Sequence, residues 1–295
     1  MQDTSKVVKE KLTPDSKLTF KCHPGIACFT KCCSNIDILL TPYDVIRMKN
    51  RLGISSTELL AKYTHSVLDK KTSQPLLYIR LLEEGQRPCP FVDASEGCTI
   101  YGDRPAACRY YPVGQVTHRR MDDKNEAPIH DEFYVVVRED HCLGFQEDKT
   151  WTIQEWREDQ EAALCDEMNR EWKNIMMKQD LPRGEVFDQK RQTMFYIASY
   201  DIDGFRQFVF ESRFLEIFDV DAGTLERISK DETELMHFSF RYLKYLLGIH
   251  EEIELQPRVA DEQKKLVLAR RAKDDAERAA LLAKEEANKG NSETP

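Results

Sequence analysis

The chain has 295 residues, 41% hydrophobic and 32% charged, and its 43 Lys and Arg against 52 Asp and Glu leave a net charge of −9. That length can bury a substantial core without a metal to rescue it, and no apolar run reaches the roughly 18 to 20 residues needed to span a bilayer, so membrane-spanning helices are excluded. The acidic balance argues against a broad phosphate-binding surface, and therefore against nucleic acid as the main partner.

Residues 1–17 read as a polar N-terminal extension, and residues 1–21 lack the apolar stretch of a secretory signal, so a cytoplasmic location is expected. Residues 18–150 are expected to form a cysteine-cluster metal-binding domain. Within it, Thr41-Pro42-Tyr43-Asp44 carries a capping threonine, a proline suited to the first helical position and a carboxylate three residues on, which predicts a helix to about residue 51 that Gly53 ends. Ser55 with Glu58 opens a second helix through about residue 63. Residues 76–82 and 133–138 are β-branched or aromatic enough to predict strands, with cysteine-bearing turns between them. Thr152 with Glu155 is another capping box. It leads into one long helix on which Ile153, Trp156, Leu164, Met168, Trp172, Ile175 and Met176 approximate an apolar face, ended by Pro182 and Gly184. Helices around 186–200, 204–210 and 231–247, with a strand at 214–218, make residues 151–253 a mainly helical region. Residues 254–295 have no aromatics or cysteines and a dense alternation of charge; they read as a charged helix fraying into a disordered tail, or else as a partner-binding helix. The fold class is α+β: a small sheet with cysteine-bearing loops and short helices, packed against a mainly helical C-terminal half.

In a reducing compartment, nine cysteines read as metal ligands or redox groups before they read as disulfides. Eight fall into Cys22, Cys28, Cys32 and Cys33, then Cys89, Cys98, Cys108 and Cys142, enough for two sets of four. Structural zinc and iron–sulfur clusters both commonly take four cysteines, because soft thiolates suit both metals. The vicinal pair Cys32-Cys33 adds a constraint. Neighbouring side chains diverge, so the pair implies either two nearby centres, or one ligand and one supporting thiol. Cys165, on the long helix beside Met168 and Trp172, reads instead as a small buried hydrophobe. His23 and His141 flank Cys22 and Cys142 and read as supporting groups before ligands. Arg104 and Arg109 bracket Cys108 among Tyr101, Tyr110 and Tyr111. Their charge would offset that of a multi-thiolate centre, with ordinary salt bridges and packing as the other reading. No G-x-S-x-G or H-E-x-x-H motif and no Gly-rich nucleotide loop is present, so catalytic and further cofactor-binding residues are unassigned.

The pattern resembles the YkgJ-type cysteine-cluster family, known as a zinc- or iron-chelating domain. The likeness is carried by Cys22, Cys28, Cys32-Cys33, Cys89-Pro90-Phe91, Gly97-Cys98-Thr99-Ile100-Tyr101, Arg104-Pro105-Ala106-Ala107-Cys108-Arg109-Tyr110-Tyr111-Pro112 and, more loosely, Cys142-Leu143-Gly144. It covers about residues 18–145. The family's usual opening is C-x2-C-x2-C-C, whereas this chain has C-x5-C-x3-C-C. The wider opening is similar to that of flagellin lysine methylases, relatives that join an iron–sulfur centre to S-adenosylmethionine. The resemblance thus implies metal held by Cys22, Cys28, Cys32, Cys33, Cys89, Cys98, Cys108 and Cys142, with protein methyl transfer as the alternative function. The number of cysteines and the wide opening tilt the cofactor toward an iron–sulfur cluster over zinc. A protein partner or substrate is expected, of a kind the sequence does not name.

Overall fold

The computed structural model describes residues 7–121, 128–177, 188–249, 252–262, 264–266 and 268–269. The first part runs β1 (Val7–Leu12), β2 (Lys17–Thr19), β3 (Leu39–Leu40), α1 (Pro42–Leu52), α2 (Ser56–Tyr63), β4 (Thr64–Leu68), β5 (Pro75–Ile79), β6 (Val92–Asp93), β7 (Gly97–Cys98), α3 (Ala106–Tyr110), β8 (Val113–Met121), β9 (Pro128–Val137) and β10 (Thr150–Thr152). The second part runs α4 (Ile153–Asp159), α5 (Ala162–Met177), α6 (Gln189–Tyr200), α7 (Ile202–Glu211), α8 (Phe214–Ile217), β11 (Phe218–Asp219), α9 (Ala222–Lys230), α10 (Glu232–Leu246) and β12 (Glu254–Leu255). The fold is α+β, with small antiparallel sheets before a helical C-terminal half. The sheets are ordered β1-β9-β8 and β3-β5-β4, with two-stranded pairs β2–β10, β6–β7 and β11–β12.

Local chemistry sets the helix ends. At α1 the Thr41 hydroxyl accepts from the Asp44 N–H while the Asp44 carboxylate accepts from the Thr41 N–H, Pro42 occupies the first turn, and Gly53 closes the helix at φ +65°. Thr152 and Glu155 make the same reciprocal box at α4, and at α2 the Ser55 hydroxyl accepts from the Glu58 N–H. In β5, Pro75, Leu77 and Ile79 alternate inward, which seats that strand on the core.

One buried apolar cluster runs from Leu40, Met48, Leu77, Phe91 and Ile100 through Trp172 and Phe195 to Phe205, Phe214 and Leu243, so the cysteine region and the helical half share a core. A second, smaller cluster gathers Leu18, Phe20, Tyr110, Val113, Tyr134, Ile153 and Trp156 around the β2–β10 pair. Among the described residues no helix is long and apolar enough to cross a membrane.

Three expectations need correction. Residues 214–218 are not a strand: they form α8 and only the first residue of β11. Apolar residues at 214, 215, 217 and 218 have helical rather than alternating spacing, and the Phe214 and Phe218 rings lie 4.5 Å apart, as residues four apart on a turn can. The expected single long helix after Thr152 is two helices, broken at Gln160 and Glu161, the latter at φ +53°. The strand expected over 76–82 ends at Ile79. Strands β1 and β8, both partners of β9, were not foreseen. Pro182, Gly184, the start of the helix expected over 186–200, and most of the charged tail lie outside the described residues.

Gly144 touches the second cluster where no side chain fits: a Cβ there would lie 2.5 Å from Phe20 Cε2 and 2.9 Å from the Lys21 carbonyl oxygen. Gly144→Ala is therefore expected to lower unfolding free energy by about 1–3 kcal/mol through overpacking. Chemical denaturation checks this, and an unchanged midpoint would contradict the packing.

Candidate metal centre

Three chain segments bring eight cysteines to one place. After β2 the chain makes successive turns, with N–H to C=O bonds from Ile26 to His23, Phe29 to Ile26, Lys31 to Cys28 and Cys33 to Thr30, which carry Cys22, Cys28, Cys32 and Cys33 around a compact loop. Thr30 takes a left-handed backbone at φ +65° just before the 3₁₀ turn Lys31–Cys33. The loop then pairs with the start of the second segment. The Cys89 N–H donates to the Cys33 carbonyl at 2.8 Å and the Asn35 N–H to the Arg87 carbonyl at 3.0 Å, so Cys33 is registered beside Cys89.

Cys98 is held on the short hairpin β6–β7, where Val92 pairs with Cys98. Asp93 turns that hairpin by accepting from the Ser95 and Glu96 N–H groups, each at 2.8 Å. Gly97, at φ +85°, lies under the Phe29 ring, where a Cβ would come within 2.8 Å of Cζ. The cysteine-bearing turns therefore touch each other. Cys108 sits in α3, whose Ala106 N–H donates to Asp44 Oδ1 at 2.8 Å. Asp44, buried at the start of α1, thus caps its own helix and steadies the first turn of the next. Burial pushes its carboxyl up from the ordinary value, while its hydrogen bonds from Thr41 and Ala106 pull the other way.

The third segment returns Cys142 to the first. The Leu143 N–H donates to Cys28 Sγ at 3.2 Å, and the Lys21 N–H donates to the Gly144 carbonyl at 3.0 Å. Tyr111 bonds Glu139 through its hydroxyl at 3.3 Å and also reaches the Cys142 thiol.

All eight cysteines line one cavity of about 410 Å³, whose other walls are mainly apolar, including Phe20, Phe29, Ile38, Phe91, Ile100 and Trp156. Cys165 does not line it; it is 1% exposed and packs as a small hydrophobe in α5. None of the nine cysteines is in a disulfide. Among the described residues no three Cys, His, Asp or Glu side chains already stand in an arrangement that could hold an ion. The donor chemistry nevertheless fits zinc or iron: eight soft thiols, on turns, a short hairpin and a short helix, line a common, largely apolar space. Gathering four of them on a metal would require side-chain rotation on the turns.

The thiols influence one another. Burial raises Cys22 to about 11, with Cys32, Cys28 and Cys142 adding to the shift. Cys32 is raised first by its bond with the Cys33 thiol and then by burial. Burial raises Cys89 to about 11 and raises Cys108 further, where Cys89 and Cys98 add and Arg104 opposes. A cluster whose members resist ionising together is one that a cation stabilises on binding.

The two arginines beside Cys108 divide their work. Arg104 faces the cavity, lies 3.8 Å from the Tyr101 ring centroid, and is the cation that acts on Cys98 and Cys108. Arg109, only 2% exposed, turns away to bond the carbonyls of Gly102, Arg104 and Gln160 and the carboxylate of Glu161. The break between α4 and α5 frees the Gln160 carbonyl for that bond. Asp44, Gln160 and Tyr111 were not singled out as site residues from sequence, since their partners are distant backbone groups and thiols; only the capping role of Asp44 carried a local signal. His23 and His141 line the cavity, but each also pairs with a carboxylate at 3.4 Å, Glu147 and Glu139 respectively.

Residues 21–143 match the family model CxxCxxCC, described as "Putative zinc- or iron-chelating domain". No curated protein matches the chain, and no solved structure does.

Asp44→Ala would leave three donors without their acceptor: the Thr41 N–H, the Thr41 hydroxyl and the Ala106 N–H. A loss of about 2–4 kcal/mol in unfolding free energy is expected from unsatisfied buried groups, together with faster modification of Cys108 by a thiol reagent in the metal-free protein. Wild-type stability and wild-type reactivity together would refute this role.

Proposed function

We propose, from the premise that residues 21–143 are a CxxCxxCC domain, that the chain binds metal through Cys22, Cys28, Cys32, Cys33, Cys89, Cys98, Cys108 and Cys142, and that the metal is an iron–sulfur cluster rather than isolated zinc. The observation that carries this reading is the shared cavity of about 410 Å³ onto which all eight thiols face. A single water needs only about 10–15 Å³ of such space. Eight thiols exceed the four that one mononuclear zinc takes, and a multi-iron cluster, bulkier than a single ion, uses the width of the cavity.

The chain's own residues would divide the work of holding such a group. The thiolates supply soft ligands, the apolar walls limit water, and Arg104 offsets negative charge beside Cys98 and Cys108. Tyr111 orients Cys142. Asp44 and Arg109 fix the backbone from which Cys98 and Cys108 project. Bound, a cluster would supply electron transfer or an open iron for substrate, and zinc a structural cross-link. The free thiols support a reducing, cytoplasmic location, and the net charge of −9 supports a protein partner or substrate over nucleic acid.

Protein methyl transfer remains the second reading, because the same space falls within the roughly 300–1,000 Å³ typical of small-molecule sites and could admit an organic cofactor beside the thiols.

Metal analysis with an absorption spectrum of protein purified without oxygen tests the proposal. Brown protein with a broad band at about 400 nm from thiolate-to-iron charge transfer is expected; colourless protein rich in zinc would overturn the iron assignment. Cys98→Ser and Cys108→Ser should each lower metal content and make the N-terminal half protease-sensitive, because metal binding contributes to its folding. Cys165→Ser should leave metal content nearly unchanged. Full retention of metal with unaltered proteolysis in both Cys98→Ser and Cys108→Ser would sink the ligand assignment.

A further inference from the structure

The vicinal pair Cys32-Cys33 divides the cavity. It lies in a 3₁₀ turn, and three residues per turn send successive side chains about 120° apart. On one side, Cys22, Cys28 and Cys142 form a group closed by the bond from the Leu143 N–H to Cys28 Sγ at 3.2 Å and by the Lys21–Gly144 backbone bond, and Cys32, which the turn sends away from Cys33, falls to that group. On the other, Cys33 is held through its own carbonyl to the Cys89 N–H, and Cys33, Cys98 and Cys108 pack with Cys89 on the large core cluster, whereas Cys142 packs on the small one.

Backbone bonding follows the same division. The Lys21–Gly144 and Leu143–Cys28 bonds join the segments of Cys22, Cys28 and Cys142, whereas the Cys89–Cys33 bond, the Val92 N–H bond to the Cys89 carbonyl and the Val92–Cys98 pairing join those of Cys33, Cys89 and Cys98. Their surroundings differ too, with Tyr111 on the Cys142 side and Arg104 on the Cys98 and Cys108 side.

We infer that the cavity holds two metal centres, one bound by Cys22, Cys28, Cys32 and Cys142 and the other by Cys33, Cys89, Cys98 and Cys108, meeting at Cys32-Cys33. This deepens the metal-binding reading above and rests on it. Adjacent cysteines that would crowd one tetrahedral ion become single ligands of neighbouring centres. Each centre takes the four soft ligands common to zinc and iron–sulfur sites.

Cadmium-113, loaded into the full-length protein without oxygen, is the probe. Two separate thiolate-bound resonances are expected in the wild type. Cys32→Ser should remove or shift one and Cys33→Ser the other, although the residues are adjacent, and each variant should lose about half of its bound cadmium, as expected when one of two four-ligand centres is broken. Cys22→Ser should act on the same resonance as Cys32→Ser, and Cys89→Ser on the same one as Cys33→Ser. Circular dichroism verifies that each variant folds; where one does not, Cys142→Ser or Cys98→Ser replaces it within its set. A single wild-type resonance, or one resonance perturbed by both Cys22→Ser and Cys89→Ser, would overturn the division while leaving metal binding intact. A metal-stripped wild-type protein that takes up neither cadmium nor iron would overturn the metal-binding reading itself.

Discussion

A buried guanidinium must have its donors met by fixed acceptors, because leaving a charge unpaired in a low-dielectric interior costs several kcal/mol. Arg109 meets that requirement with the backbone of three places at once: Gly102 and Arg104 on the loop between Cys98 and Cys108, and Gln160 where α4 gives way to α5. The helix break is thus part of the same constraint as the loop. An uninterrupted helix would keep the Gln160 carbonyl for its own ladder, and Arg109 would lose the acceptor that joins the cysteine region to the helical half. The Glu161 carboxylate, on the residue with positive φ, completes the set.

From that junction the rest of the site inherits its rigidity. Gln160 also accepts from Arg104, which places a cavity-facing guanidinium beside Cys98 and Cys108. Asp44 adds a second tie, joining the first turn of α1 to the first turn of α3. The cysteine-bearing turns themselves contain little regular structure, so their positions depend on these side chain to backbone bonds and on the shared core beneath them.

The local part of this architecture was legible in the sequence. Thr41, Pro42 and Asp44 announce a helix start because the capping partners lie three residues apart, and the spacing of eight cysteines announces a cluster because so many soft thiols have few other uses. Phe214 and Phe218 were misread because β-prone residues in a short run look alike in either state; burial against Phe208, Phe238 and Tyr242 decides for the helical turn. For Arg104 and Arg109 the sequence leaves two readings open, a charge beside the metal or ordinary salt bridges and packing; Arg109 follows the second, because its acceptors are carbonyls and a carboxylate brought near by folding, which leave no trace in spacing. The assignment of Cys32 and Cys33 to different neighbours was equally hidden. It follows from Cys89 pairing to Cys33 and Leu143 reaching Cys28 across long stretches of chain.

The pairing of β2 with β10 brings together Thr19 and Thr150, whose hydroxyls lie 3.1 Å apart across a separation of 131 residues. At synthesis rates of about 5–20 residues per second, roughly 7 to 26 seconds pass between the appearance of these two strands. During that interval the intervening thiols emerge one after another with their enclosing partner not yet made. A nascent chain with several unprotected sulfurs is open to oxidants and to whichever thiophilic ion is most abundant. Closure of the small core cluster around Phe20 therefore waits for a strand made after all eight of these thiols.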